Sequence, residues 1–267
     1  MCPWSFFTEL FMRNFSYCYM VMKIDTENKV DMNSIELKRN FVSVASHEIR
    51  TPLSSILLSV SLIEKYTQQQ QTELIFKQTR KIKNTITNLK SILEDFLSLE
   101  KLDTGQVTAA FETFDLAELS NEIIEEMQEM ALPDQKLRLI CEVERSVNLD
   151  RNLLKNAIIN LISNAIKYAG APAIIELKVY TRPDKTVIRV TDNGIGIQEA
   201  EQANLFRPFY RIHSSGTIPG TGLGLTIVQR YTGLMKGTIT FESKPGQKTS
   251  FKMVFPAQLQ AAAKGAG

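Results

Sequence analysis

Apolar residues recur every three or four positions through the first part of the chain. Leu37, Phe41, Val44 and Ala45, Leu53, Ile56, Val60 and Ile63 keep helical steps, with one gap at residues 48–49. Ile75, Ile82, Ile86, Leu89, Leu93 and Phe96 carry the same periodicity without a break. Between the two runs lies a polar stretch, 67–72, containing four consecutive glutamines and suited to a turn. The spacing therefore predicts two helices of about 30 residues folded back into an antiparallel hairpin. A single hairpin cannot cover both of its apolar stripes, so a two-fold dimer closing a four-helix bundle is expected.

From about residue 112 the pattern mixes helical and alternating runs. Residues 115–130 read as an amphipathic helix with Asp115 near its N-cap and Pro133 just past its end, and 150–168 as a second helix. Alternation predicts strands over 137–143, 174–180, 187–191, 238–243 and 250–255, with turns at Pro183-Asp184 and Pro245-Gly246 and a third helix over 224–234. None of the 13 glycines precedes Gly105, and six lie between Gly194 and Gly224, so helices come first and loops crowd the later half. Strands and helices that do not alternate strictly point to an α+β fold: the hairpin, then an α/β sandwich with an open sheet and helices on one face. The expected division is 1–32 as an N-terminal fragment or linker, 33–103 as the hairpin, 112–256 as the α/β domain and 257–267 as a flexible tail.

Composition narrows the functions. With 31 basic against 29 acidic residues, the net charge of +2 sets up no field that would draw nucleic acid or anionic lipid. Hydrophobic residues make up 43% of the 267 positions, too many for a disordered chain. Cys2, Cys18 and Cys141 are odd in number and lack metal-type spacing, which favours reduced thiols and a cytoplasmic setting; His47 and His213 alone are too few for a zinc site. Residues 1–22 are rich in Phe, Met and Tyr but broken by Glu9, Arg13 and Asn14, so they read as part of an upstream element or a short amphipathic anchor rather than a membrane span. Any membrane attachment is expected only through further parts of a longer parent protein.

Four segments carry candidate chemistry. In the first, Ser46-His47-Glu48-Ile49-Arg50-Thr51-Pro52, His47 projects beside the apolar seam and Thr51 shares its face one turn on. Pro52 cannot donate to the Glu48 carbonyl, so a bend is expected there, at a cost of about 3 kcal/mol that asks for a reason. The residue is either a surface histidine on a kinked helix or a nucleophilic imidazole oriented and relieved of its proton by Glu48. In the second, Asn160, Asn164 and Lys167 share one helical face opposite Ile158, Ile159, Ile162, Ala165 and Ile166. That face is either merely solvated or suited to Mg²⁺ bridging phosphates, since amide oxygens suit a hard cation.

The third segment, Asp192-Asn193-Gly194-Ile195-Gly196, follows a strand. It reads either as a plain Asn-Gly turn or as a carboxylate accepting from an exocyclic amine, with glycines permitting close backbone approach. The fourth, Gly220-Thr221-Gly222-Leu223-Gly224-Leu225, leads into a helix and leaves N–H groups free to face phosphate, though it matches neither a P-loop nor a dinucleotide fingerprint. Just before it, Leu205-Phe206-Arg207-Pro208-Phe209-Tyr210 is either simple packing or part of a lid over nucleotide.

Taken in order, these segments resemble a bacterial sensor histidine kinase with a phosphoacceptor hairpin and a Bergerat-type ATP-binding domain, over about residues 34–256. The resemblance implies that His47 is the phosphoacceptor, Glu48 its acidic neighbour, and Thr51 the residue that places water when a partner is dephosphorylated. It implies that Asn160 and Asn164 hold Mg²⁺, and that Lys167, Tyr168 and a lid containing Phe206 line the nucleotide. Asp192 would read adenine above Gly194 and Gly196, while Gly220, Gly222, Gly224 and Leu225 would border the phosphates. Implied partners are a second copy of the chain and the receiver domain of a response regulator, with ATP as phosphoryl donor. Residues 17–26 weakly resemble the end of a PAS-type sensor domain. Lys236 and Lys248 stand where the family usually has glycine. Two other classes compete: a non-catalytic interaction module whose conformation ATP sets, and an ATPase of the gyrase or chaperone type.

Overall fold

A computed structural model describes residues 32–212 and 220–257. The expectations for the N-terminal segment, including Cys2, Cys18 and the sensor-like stretch, for the 258–267 tail and for part of the lid lie outside the described residues. The chain comprises two units, Met1–Ser46 and His47–Gly267. In the first, the described residues form the start of a helix; the second holds the rest of the hairpin and the whole α/β domain.

The hairpin is built from α1 (Met32–Gln68) and α2 (Thr72–Asp103). Its turn is tighter than the polar run suggests, with Gln69, Gln70 and Gln71 alone between the helices. α1 continues as helix through Pro52. Hydroxyls on either side of the proline bond back along the helix: Thr51 Oγ1 donates to the His47 carbonyl (3.3 Å) and Ser54 Oγ to the Arg50 carbonyl (3.0 Å). The apolar stripes are only partly covered within one chain. Ile92, Phe96 and Leu99 are buried, while Leu53, Val60, Ile86 and Leu93 remain exposed.

After the hairpin come β1 (Glu112–Phe114), α3 (Leu116–Gln128), β2 (Gln135–Glu142), β3 (Val147–Leu149) and α4 (Arg151–Tyr168). There follow β4 (Ala173–Arg182), β5 (Lys185–Asp192), α5 (Glu199–Gln202), α6 (Gly224–Leu234), β6 (Thr238–Lys244) and β7 (Lys248–Pro256). The main sheet has the order β2-β4-β5-β7-β6, with β2 and β4 parallel and the other pairs antiparallel. β1 and β3 form a separate antiparallel pair. In β4, Ala173, Ile175, Leu177 and Val179 are buried while Ile174, Glu176, Lys178 and Tyr180 are half-exposed, as period-two alternation requires of a sheet covered on one face. The covered face meets Leu119, Ile123 and Met127 of α3 and the apolar stripe of α4.

Acidic caps set the helix starts. Asp115 accepts the Ala117 N–H at 2.7 Å, and Asp150 accepts the Leu153 N–H at 2.9 Å. The second Asp150 oxygen takes the Ala110 N–H at 2.8 Å, tying the connection from the hairpin to the head of α4. Lys236, where a glycine is usual, stands in the left-handed region at φ 60°, which is the conformation a glycine would adopt freely. Lys248 begins β7 opposite Lys244 in the ordinary strand register.

A buried amide that the periodicity does not announce locks the far end of α4. Gln135 Oε1 accepts the Leu132 N–H (3.0 Å), while its Nε2 donates to the Ile166 carbonyl (2.9 Å) and the Gly170 carbonyl (2.6 Å). Replacing it takes the side-chain partner from one donor and two acceptors, of which the Ile166 carbonyl is buried. Gln135→Ala is therefore expected to lower stability by about 2–3 kcal/mol, read as a lower urea midpoint at unchanged m-value.

Candidate active site

One cavity collects most of the polar residues singled out in the α/β domain. β5 ends at Asp192, between Ile175 of β4 and Thr249 of β7. Its side chain is 8% exposed, and Oδ1 accepts the Gly194 N–H at 3.0 Å. Burial pushes the Asp192 carboxyl up to about 6, and the Gly194 hydrogen bond works against that rise. The remaining lone pairs of such a group suit an N–H donor entering the cavity.

α4 supplies a second wall. Its buried face holds Leu154, Ala157, Ile158, Leu161, Ile162 and Ala165, which turns Asn160, Asn164, Lys167 and Tyr168 toward the cavity. Lys167 is exposed along its length, yet protein crowding lowers its pKa, opposed by the charge of Asp95. The Tyr168 hydroxyl is pushed up by burial, with Arg211 opposing. Among the described residues no group of three or more His, Cys, Asp or Glu side chains could hold a metal. Asn160 and Asn164, neutral oxygen donors one turn apart, fit a hard cation that keeps waters and shares substrate oxygens, as Mg²⁺ does.

The third wall is glycine-rich. Gly196 has φ 67°, and a Cβ there would collide with the Lys244 carbonyl oxygen. Gly222 has φ 70°, and its Cβ would come within 2.8 Å of the Phe209 carbonyl carbon. Neither position tolerates a side chain. Gly220, Gly224 and Leu225 line the same cavity. Gly194 lies behind Asp192 as its hydrogen-bond donor rather than on the cavity wall.

Phe206 departs from the lid expectation. Its ring packs 6.0 Å from that of Phe241, which in turn lies 5.9 Å from Phe251. Aromatic packing at the sheet end outcompetes a place over the cavity, and Leu205 and Tyr210 line it instead. The His47 ring is 75% exposed, with Nδ1 3.5 Å from Glu48 Oε1. Glu48 is 13% exposed, and the same oxygen lies 3.3 Å from the Arg211 guanidinium. Thr51 spends its hydroxyl on the His47 carbonyl.

The sequence reading missed what α2 contributes. Asn88, Ser91, Ile92 and Asp95 line the cavity opposite α4. Asp95 Oδ2 accepts the Thr221 hydroxyl at 2.8 Å. Nothing in the helical periodicity separates Asp95 from an ordinary solvated position; only its place beside the seam residue Phe96 marks it. Arg211 and Thr221 stand inside or next to recognised segments but carry no signal of their own as hairpin contacts.

Comparison with known proteins agrees with this division of labour. Residues 37–105 match the His Kinase A (phospho-acceptor) domain, and residues 149–259 match the histidine kinase-, DNA gyrase B- and HSP90-like ATPase family. The circadian input-output histidine kinase CikA of Synechococcus elongatus is 31% identical over 83% of this chain, and the chain spans 30% of that relative's length. In fold, the chain is similar to the Acinetobacter baumannii histidine kinase AdeS, with a TM-score of 0.60 at 23% identity, covering 80% of this chain and 98% of that one. It is also similar in fold to the histidine kinase ThkA in complex with the response regulator protein TrrA, with a TM-score of 0.57 at 22% identity, covering 87% of this chain and 68% of that one. A phospho-acceptor hairpin carrying an exposed histidine, followed by an ATPase-type α/β domain, makes the chain a member of the two-component sensor histidine kinases.

Proposed function

We propose that this chain uses ATP to phosphorylate its own His47, then passes the phosphoryl group to an aspartate on the receiver domain of a response regulator. The observation that carries the reading is the pairing of an exposed imidazole, its Nδ1 beside a carboxylate, with a cavity that joins a buried Asp192 to Asn160, Asn164 and Lys167. The complex of ThkA with the response regulator TrrA supports the class of partner. The proposed division is a dimerising hairpin over 33–103 and an ATP-binding domain over 112–256. Exposed Leu53, Val60, Ile86 and Leu93 favour a homodimer whose second hairpin covers them. The setting proposed for this kinase core is cytoplasmic.

Chemically, Glu48 favours the tautomer with the proton on Nδ1 and leaves the Nε2 lone pair outward. Nε2 forms a bond to the γ-phosphorus as the bridging P–O bond breaks, and ADP departs with that electron pair. In the second step the P–N bond breaks as a receiver carboxylate oxygen bonds to phosphorus. Asp192 accepts the adenine amino group, and Lys167 with the 220–224 backbone faces the phosphates. Asn160 and Asn164 would hold Mg²⁺, which when bound would supply charge neutralisation to the phosphates. Thr51 places the water that dephosphorylates the regulator.

Incubation with radiolabelled ATP tests the first step. The chain is expected to gain an acid-labile, base-stable label that moves to an added receiver domain, and His47→Ala to bind ATP but stay unlabelled. Label persisting on His47→Ala, or steady ATP turnover with no phosphoprotein, overturns the assignment. Thr51→Ala is expected to keep autophosphorylation and slow regulator dephosphorylation; equal rates remove its role.

Asp192 sets a pH dependence. The ionised carboxylate accepts the adenine N–H far more strongly than the neutral acid, and burial pushes this group up to about 6. ATP affinity is therefore expected to fall by up to about tenfold per pH unit below that value and to level off above pH 7. Asp192→Asn should bind weakly and lose this component, so matching profiles in calorimetric titrations from pH 5 to 7.5 would count against the adenine contact.

A further inference from the structure

Asp95 occupies an odd place for a hairpin residue. It is half-buried and reaches into the cavity that the preceding reading assigns to ATP. Thr221, 4% exposed between Gly220 and Gly222, has one hydroxyl proton to give, and it gives it to Asp95 Oδ2 at 2.8 Å. The orientation is settled from the other side, because the Leu223 N–H donates to Thr221 Oγ1 at 3.2 Å. Burial raises the Asp95 carboxyl, and the Lys167 charge pulls the opposite way. A side-chain anion thus holds the donor and shares the cation that border the phosphate end of the cavity.

Neighbouring contacts fasten the same face of the hairpin. Phe209 meets Phe96 with ring centroids 6.4 Å apart, and it does so from a left-handed backbone at φ 63°, an uncommon conformation for an aromatic residue. Arg211 lies 3.3 Å from Glu48, and Arg230 lies 3.3 Å from Asp103. Each of these couples α1 or α2 to the loop or helix that frames the cavity.

We infer that Asp95 is an internal stand-in for a nucleotide phosphate: it latches α2 to Thr221 over the cavity, and the triphosphate of ATP must displace it. The inference rests on the cavity being the ATP site. Its physical content is competition. A phosphate next to Asp95 meets a like charge, and the Thr221 proton cannot serve both groups. While the latch is closed, apparent ATP affinity is reduced by the fraction of molecules that are open. Adenosine, without phosphates, has no group that needs Asp95's place.

Affinities of ATP with Mg²⁺, ADP with Mg²⁺ and adenosine, measured on the whole chain, test this. Asp95→Asn and Asp95→Ala are expected to bind ATP about three- to tenfold more tightly, ADP by a smaller factor and adenosine within about twofold of the unsubstituted chain. Asp95→Ala covers the case in which the asparagine amide keeps the Thr221 bond. ATP affinity unchanged or weakened in Asp95→Ala overturns the latch, as does adenosine gaining as much as ATP. The unsubstituted chain separates the two readings. If it binds ATP and labels His47 while the Asp95 variants match its affinity, only the latch falls. If it binds no nucleotide at all, the ATP site falls with it.

Discussion

The apolar stripe of α4 against the sheet is the constraint on which the rest depends. Leu154, Ala157, Ile158, Leu161, Ile162 and Ala165 are buried, so the helix has one rotation in which they all leave water. That rotation turns Asn160, Asn164 and Lys167 the other way, toward the end of β5 and the glycine-rich segment. Two asparagines cost helical propensity, and the burial opposite them outweighs that cost several times over. The ends of the helix are fixed as firmly. Asp150 caps its first turn, and Gln135 takes up carbonyls at its last. The site holds few charged groups, so the placement of its amide oxygens rests on that rigidity.

Charge in this cavity is arranged by burial more than by pairing. Asp192 has a backbone N–H as partner and, among the described residues, no cation within salt-bridge reach, so desolvation dominates and the carboxyl rises. Asp95 rises for the same reason, although Lys167 and Thr221 both draw it down. The two carboxylates differ in what they face. Asp192 is built into the sheet and stays with the cavity in any arrangement of the domains, whereas Asp95 belongs to the hairpin and is present only while α2 lies against Thr221. One is a fixed feature of the cavity wall and the other a conditional one.

The long elements were legible because their signals are long. The hairpin helices, α3, α4 and α6 all carry sustained helical periodicity, and the Asp115 cap falls where the sequence pattern puts it, while Asp150, read as the first residue of its helix, is the N-cap of α4. The three-residue strands β1 and β3 and the four-residue α5 escape, since so few residues give no measurable period. Phe206 misled because proximity to the glycine-rich segment says nothing about which side of the loop a ring takes; Phe241, distant in sequence, decided it. Asp95 and Gln135 were invisible for a related reason. Their roles come from partners 126 and 31 residues away, and neither residue type breaks the local pattern.

Helix geometry sets Asp95 and His47 at nearly one level of the hairpin. The hairpin turns about residue 70, with α1 ending at Gln68 and α2 beginning at Thr72. At 1.5 Å per residue, His47 lies about 35 Å from that turn along α1 and Asp95 about 38 Å along α2. The two levels differ by only about 3 Å, so the Thr221–Asp95 hydrogen bond lies at nearly the height of the His47 ring. On the proposed reading, phosphoryl transfer to His47 calls for movement around the hairpin, with little sliding along it. Arg211 already spans part of that path, since it follows the Phe209 segment that meets α2 and touches Glu48 on α1. An anion on α2 and another on α1 thus mark two stations at one height.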